Sequence, residues 1–128
     1  MYMKAILPKF KLKGEPTVIN APEDLSKEFN DLGFPAAFDK KIKSINTLIF
    51  VNNKKECVHY LTKSLKNIEP DSVLWFAYPR GTSGIKIDIN RDILRETAEE
   101  HGITTVTAIS INDTWSALRF RPIDKVGK

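Results

Sequence analysis

Two unbroken apolar runs constrain this chain more than any other feature: Thr47-Leu48-Ile49-Phe50-Val51 and Val73-Leu74-Trp75-Phe76-Ala77-Tyr78. Neither alternates with polar residues, so each, as a strand, must be covered on both faces. Between them stands Asn53, with Glu56 three positions on, the spacing of a helix cap. The helix it starts carries Cys57, Val58, Leu61 and Leu65 as an apolar stripe. Strands joined through a crossover helix pair in parallel.

The flanking segments extend the pattern. Residues 1–14 read as a loose lead-in ending at Gly14. Within it Lys9, Lys11 and Lys13 alternate with Phe10 and Leu12, like the wet, blunted edge of a strand. Pro16–Ile19 reads as a first strand. Asn20 then caps a helix that has Pro22 in its first turn, Glu23 three residues after the cap, and Gly33 past its end. Ala36–Phe38 reads as a minimal strand and Lys40–Ser44 as a polar loop. A helix over Asn90–His101 stops at Gly102. Ile103–Ile111 and Trp115–Arg121 form a hairpin about Asn112-Asp113.

Strands that alternate with helices imply an α/β fold: a small Rossmann-like three-layer sandwich with a mainly parallel sheet. The C-terminal antiparallel hairpin supplies its edge strand. No repeat or linker divides the chain, so residues 1–128 form one domain. With 41% hydrophobic and 28% charged residues the chain is globular rather than disordered. No apolar run reaches the roughly 20 residues that span a bilayer, and no secretory signal opens the chain, so no membrane is expected. A single cysteine, Cys57, excludes an internal disulfide and fits a reducing, cytoplasmic setting.

The segments Leu74-Trp75-Phe76-Ala77-Tyr78-Pro79, Ser83-Gly84, Asp88 and Asn112-Asp113-Thr114-Trp115-Ser116-Ala117-Leu118 carry a resemblance. Together with Asn20-Ala21-Pro22 they resemble a family of small, mostly bacterial α/β proteins known only as a domain of unknown function. That likeness implies the fold and no activity. The closing helix, strand and antiparallel strand are also similar to a pared-down class I methyltransferase. Those enzymes place a glycine-rich turn after the first strand, where backbone approaches S-adenosylmethionine. Here the turn reads Ile19-Asn20-Ala21-Pro22-Glu23, without glycine, and Pro22 removes an amide donor. No cofactor is expected.

Ligands of open α/β sheets bind beyond the carboxyl ends of the strands. The richest segment there runs from Tyr78 to Asn90. It holds Arg80, Gly81, Thr82, Ser83, Gly84, Lys86, Asp88 and Asn90 before a helix start. Two glycines admit a close backbone approach, hydroxyls donate, and cations attract a phosphate or carboxylate. Against this, the loop is not a Walker A motif, and Asp88 or Asn90 also suits a plain helix cap. Trp115, Arg119 and Arg121 share one face of the last strand and read either as an interface or as arginine stems over a tryptophan.

Other constellations read as structural. Cys57 and His59, two apart on a helix, cannot pair as nucleophile and base. Two histidines without ligand spacing leave no expected metal site. Asp92, Glu96, Glu99 and Glu100 interleave with Arg91 and Arg95 as a solvated helix face, with Arg95–Glu99 spaced for a pair.

The net charge of +4 is uneven: residues 1–66 carry 12 lysines against 7 acids. No recognition motif or aromatic platform accompanies the lysines, so nucleic acid is not the expected partner. The leading reading is a non-catalytic binding or regulatory domain for an anionic small molecule or a protein partner at the Tyr78–Asn90 edge. The alternatives are an enzyme of Rossmann-like plan, a degenerate methyltransferase-like transferase using Lys86 or Asp88, and a basic RNA-associated protein. The layout also allows a homo-oligomer through the last strand or the Lys9–Lys13 edge.

Overall fold

The structure, a computed structural model, describes residues 5–80 and 88–126. Its strands are β1 (Thr17–Ile19), β2 (Ser44–Phe50), β3 (Ile68–Pro79), β4 (Ile103–Ser110) and β5 (Trp115–Pro122). Its helices are α1 (Glu23–Asp31), α2 (Lys54–Lys63) and α3 (Arg91–Glu99). Short 3-10 turns cover Leu7–Phe10, Leu65–Asn67 and Ile123–Lys125. The sheet order is β1-β2-β3-β5-β4, with β1, β2 and β3 parallel and β5 antiparallel to both its neighbours.

The apolar runs are the central strands, as their lack of polar residues requires. On one face Leu48, Phe50, Val73, Trp75 and Ala77 meet Leu25 and Phe29 of α1, with Ile6 and Phe10 of the N-terminal segment. On the other face Ile49, Val51, Leu74 and Phe76 meet Cys57 and Leu61 of α2 and Leu94 and Ala98 of α3. Trp75, 1% exposed, packs edge-on against Phe10 at 5.3 Å. Its indole Nε1–H donates to the Phe10 carbonyl at 2.9 Å, so the lead-in is fastened across the sheet.

The structure corrects several sequence expectations. β5 inserts between β3 and β4, so β4 rather than the last strand is the sheet edge. Lys9 lies in a 3-10 turn and Lys11 takes a left-handed φ of 54°, so Lys9–Lys13 is not a strand edge. Residues Ala36–Phe38 form no strand. Asn20 does not cap α1: Pro22 is its N-cap, with no side-chain bond. Val58, 39% exposed, falls outside the buried stripe of α2. Asn53 does cap α2, accepting from Glu56 N–H at 2.8 Å, and Asn90 caps α3, accepting from Ile93 N–H at 2.9 Å. Gly33 and Gly102 end their helices at φ 82° and 87°, where a side chain would be strained.

The route from β1 to β2 accounts for the missing strand. α1 and α2 cover opposite faces although both connections step the same way across the sheet. After α1 the chain rounds the free edge of β1, where Val18 N–H donates to the Pro35 carbonyl at 2.9 Å. Phe38 then packs on the α2 face before β2 begins. Residues 35–38 therefore wrap an edge rather than extend the sheet.

Burial also settles Cys57. The thiol is fully covered, and desolvation outweighs the nearby Lys54 ammonium to push its pKa up to about 12. At pH 8 only about one thiol in ten thousand is thiolate. Native protein is expected to resist a maleimide at pH 8 and to react fully once unfolded in guanidinium. Rapid native labelling, followed by mass spectrometry, would contradict this packing.

Candidate functional site

The site is built where the parallel strands end. α1 and α2 leave toward opposite faces, and in open α/β sheets ligands usually bind beyond the strand ends at such a switch. Here side chains of the chain bond to one another across those ends in exposed hydrogen bonds. Asn20 follows β1 in the left-handed region, φ 61°, a conformation asparagine tolerates better than most residues. Its Nδ2 donates to the Phe50 carbonyl at the end of β2, 2.8 Å, and to Glu56 Oε1, 3.0 Å. Glu56 Oε1 also accepts from Asn52 N–H at 2.8 Å and Asn52 Nδ2 at 3.0 Å. One turn along α2, burial and then the Glu56 carboxylate raise the Tyr60 phenol above its ordinary pKa.

Asp88 reaches back from the far side of the β3–α3 connection and accepts from Lys54 N–H at 2.8 Å. A carboxylate of the chain thus sits at the start of α2, the place an external anion would favour. Asn90 is used by the α3 cap. Gly81, Thr82, Ser83, Gly84 and Lys86 lie outside the described residues.

Arg80 is placed differently. Its N–H donates to the Thr114 carbonyl at 2.7 Å, carrying the β3–β5 alignment one residue past the strand. Its Nε donates to Ser116 Oγ at 2.8 Å and its Nη2 to Ser110 Oγ at 2.5 Å. Ser110 ends β4 and pairs with Ser116 in register, so the two hydroxyls make one shelf. The hairpin is held by Asn112 Oδ1, which accepts from Thr114 and Trp115 N–H, each at 2.8 Å. A guanidinium has five donors, and no carboxylate pairs with this one among the described residues.

The three residues assigned to a sheet-face interface separate. Trp115 is 6% exposed and packs edge-on against Phe50 at 5.1 Å, so its ring belongs to the core. Arg121 makes a two-pronged pair with Asp71, Nε to Oδ1 at 2.8 Å and Nη2 to Oδ2 at 3.1 Å. That guanidinium holds the Asp71 carboxyl below its usual range. Arg119 is half-buried, its Nε covered and without a hydrogen-bond partner among the described residues. Arg95 approaches Asp92 and Glu96 rather than Glu99, which accepts from Thr104 Oγ1 at 2.7 Å. No three metal-ligating side chains cluster among the described residues.

The cavity beside Asn20, lined by Val18, Ala21, Ser26, Phe29 and Phe34, holds about 180 Å³. Pockets for small organic ligands run to roughly 300–1,000 Å³. The sequence places Asn20–Glu23 and Asn52–Lys54 at this edge; it does not show Glu56 bonding to them, nor Ser110 and Ser116 as supports of Arg80. The serines lie 30 and 36 residues from Arg80, and only the placing of β5 inside the sheet brings them to it.

No protein-family model and no curated protein sequence matches the chain. Solved structures do. A candidate type 11 methyltransferase from Sulfolobus solfataricus aligns with TM-score 0.55 and 13% identity, over 94% of this chain and 76% of that one. The N-methyltransferase NodS of Bradyrhizobium japonicum WM9, in complex with S-adenosyl-L-homocysteine, aligns with TM-score 0.52 and 13% identity, over 84% and 66%. The chain has a Rossmann-like α/β fold, shared with these structures.

The left-handed turn at Asn20 gives a direct check. Asn20→Gly removes the side-chain bonds but keeps the conformation free of strain. Asn20→Ala removes the same bonds and adds a Cβ penalty of about 1 kcal/mol. The alanine variant is therefore expected to melt a few degrees below the glycine variant, measured by circular dichroism. Equal midpoints would refute the strained turn.

Proposed function

We propose that this chain is a non-catalytic binding domain on a methyltransferase-type fold, and that it takes the phosphate or carboxylate of a small anionic molecule at Arg80. The observation that carries this reading is the Arg80 guanidinium, positioned by two serine hydroxyls, with unused donors and no carboxylate partner among the described residues. A planar fork held this way matches a two-oxygen anion. Hydroxyls orient the group without neutralising it.

Three features argue against methyl transfer from S-adenosylmethionine despite the fold. The turn after β1 bears side chains at Asn20 and Ala21 and lacks an amide at Pro22. The carboxyl ends of β1 and β2 are bridged by the exposed Asn20–Glu56–Asn52 hydrogen bonds. The adjoining cavity is smaller than a nucleoside ligand needs. Fold and function separate readily on Rossmann-like scaffolds.

A thermal-shift panel of phosphates, nucleotides and carboxylates at fixed ionic strength tests the reading, with S-adenosyl-L-homocysteine included. Ligand at about 100 times its dissociation constant stabilises by roughly 2.7 kcal/mol, a rise of several degrees here. An anion is expected to raise the midpoint of the wild type and not that of Arg80→Ala, while S-adenosyl-L-homocysteine leaves both unchanged. A shift with S-adenosyl-L-homocysteine would replace this reading with the transferase. Silence across the panel would move the function to a protein partner.

A further inference from the structure

The sheet parts at the amino end of its parallel strands, where β3 departs from both neighbours. Ser44 of β2 stands in register with Ile68 and Asn46 with Val73, so Ile45 alone faces Glu69, Pro70, Asp71 and Ser72. On the other side the register of β3 with β5 runs from Pro79 only as far as Leu74, opposite Phe120. β5 continues past that point beside β4, to Pro122 opposite Ile103. A bulge in one strand and the end of its neighbour thus separate, and both line a cavity of about 220 Å³.

The bulge is fixed in place. Asp71 takes a left-handed φ of 56°, which a residue other than glycine keeps only where its surroundings hold it. Arg121 of β5 grips its carboxylate across the gap, in the two-pronged pair at 2.8 and 3.1 Å. Ser72 Oγ donates to the Glu69 carbonyl at 2.6 Å and closes the bulge on itself. Pro70 has no N–H to satisfy. The serine, aspartate and arginine of the lining are therefore matched within the chain, the ion pair is neutral, and the Glu69 side chain is exposed at the mouth. The remaining walls are apolar: Leu65, Ile68, Leu74, Ile103, Phe120 and Pro122. Leu74 is 5% exposed and Phe120 1%, so the cavity reaches the core beneath α2 and α3.

We propose that this cavity binds a small uncharged aromatic molecule, a single six-membered ring or a fused pair of rings. Volume sets the size. An apolar cavity of about 150 Å³ accepts benzene, whereas larger organic ligands occupy roughly 300 Å³ or more. The lining sets the chemistry. A charged group would give up its hydration with nothing in these walls to replace it. A ring instead displaces water that apolar walls hold poorly, and gains contact with Leu74, Ile103 and the ring of Phe120. The fixed bulge means that no opening step opposes binding. Arg80 follows the opposite end of β3, so the proposal stands whatever Arg80 binds.

Titration of the full chain with benzene and with indole, followed by two-dimensional amide NMR, reads ring binding and its place together. Both rings are expected to give saturable shifts centred on Leu65, Ile68, Ser72, Ile103 and Arg121. Benzylammonium and benzoate are expected to act at those positions at least about tenfold more weakly. Ile103→Phe, which puts a ring of its own into the space, is expected to abolish the shifts. If that variant fails to fold, Arg121→Gln keeps the test intact: loss of the grip on Asp71 is expected to weaken ring binding several-fold with an unchanged circular dichroism spectrum. Rings that give no saturable shift overturn the proposal, as do shifts centred elsewhere. So does binding that the folded variants leave unchanged, or that is equally strong for the charged rings.

Discussion

β3 has no polar side chain from Val73 to Ala77, and its neighbours on both sides are other strands. Neither of its faces can meet water, and the rest of the molecule follows from that condition. α2 and α3 supply one cover. The other needs more than α1, which reaches only the β1–β2 side. The N-terminal segment completes it, and the indole of Trp75 demands that completion. A buried N–H without an acceptor costs about 1–3 kcal/mol, and the Phe10 carbonyl removes the cost while its ring fills the space above the indole. A stretch that reads as a loose lead-in is therefore part of the core.

The same packing accounts for the tryptophans and alanines of the motifs that suggested a family likeness. Trp75 and Ala77 on β3 alternate large and small on one face, and Trp115 and Ala117 do the same on β5, with Ala77 opposite Ala117 in register. Phe10 and Phe50 then fit edge-on against the two tryptophans. The pattern is a solution to covering a sheet with one helix and a strap.

Legibility in the sequence tracked the range of the interaction. The caps of α2 and α3 depend on residues three apart, and Asn53 and Asn90 fill the roles their spacing implies. The buried strands depend on uninterrupted apolar runs, and Leu48–Val51 and Val73–Ala77 are buried throughout. Asn20 shows the failure. Its spacing to Glu23 satisfies the local rule for a cap, yet a tertiary bond to Phe50 and Glu56 competes and wins. The position of β5 was illegible for a related reason. A hairpin can add either of its strands to a sheet, and the choice rests on side-chain fit between Leu118, Phe120 and Phe76, which no pattern within the hairpin encodes. The support of Arg80 by Ser110 and Ser116 inherits that invisibility, because it exists only once β5 lies between β3 and β4.

What separates a scaffold from a site is visible in how the polar groups at the carboxyl edge are used. The asparagines and acids there are turned inward on the chain: Asn20, Asn52 and Glu56 on one another, Asp88 on α2, Asn90 on α3. These bonds tie the strand ends to the helix starts. Arg80 breaks this pattern. Its two bonds go to neutral hydroxyls, which could bond to water equally well in its absence, so they fix the geometry of the guanidinium without discharging it. A half-buried cation with no counter-charge among the described residues is costlier than one paired with a carboxylate. That uncompensated cost, at the carboxyl edge of the sheet, is the ground on which Arg80 is proposed as the residue that meets a ligand.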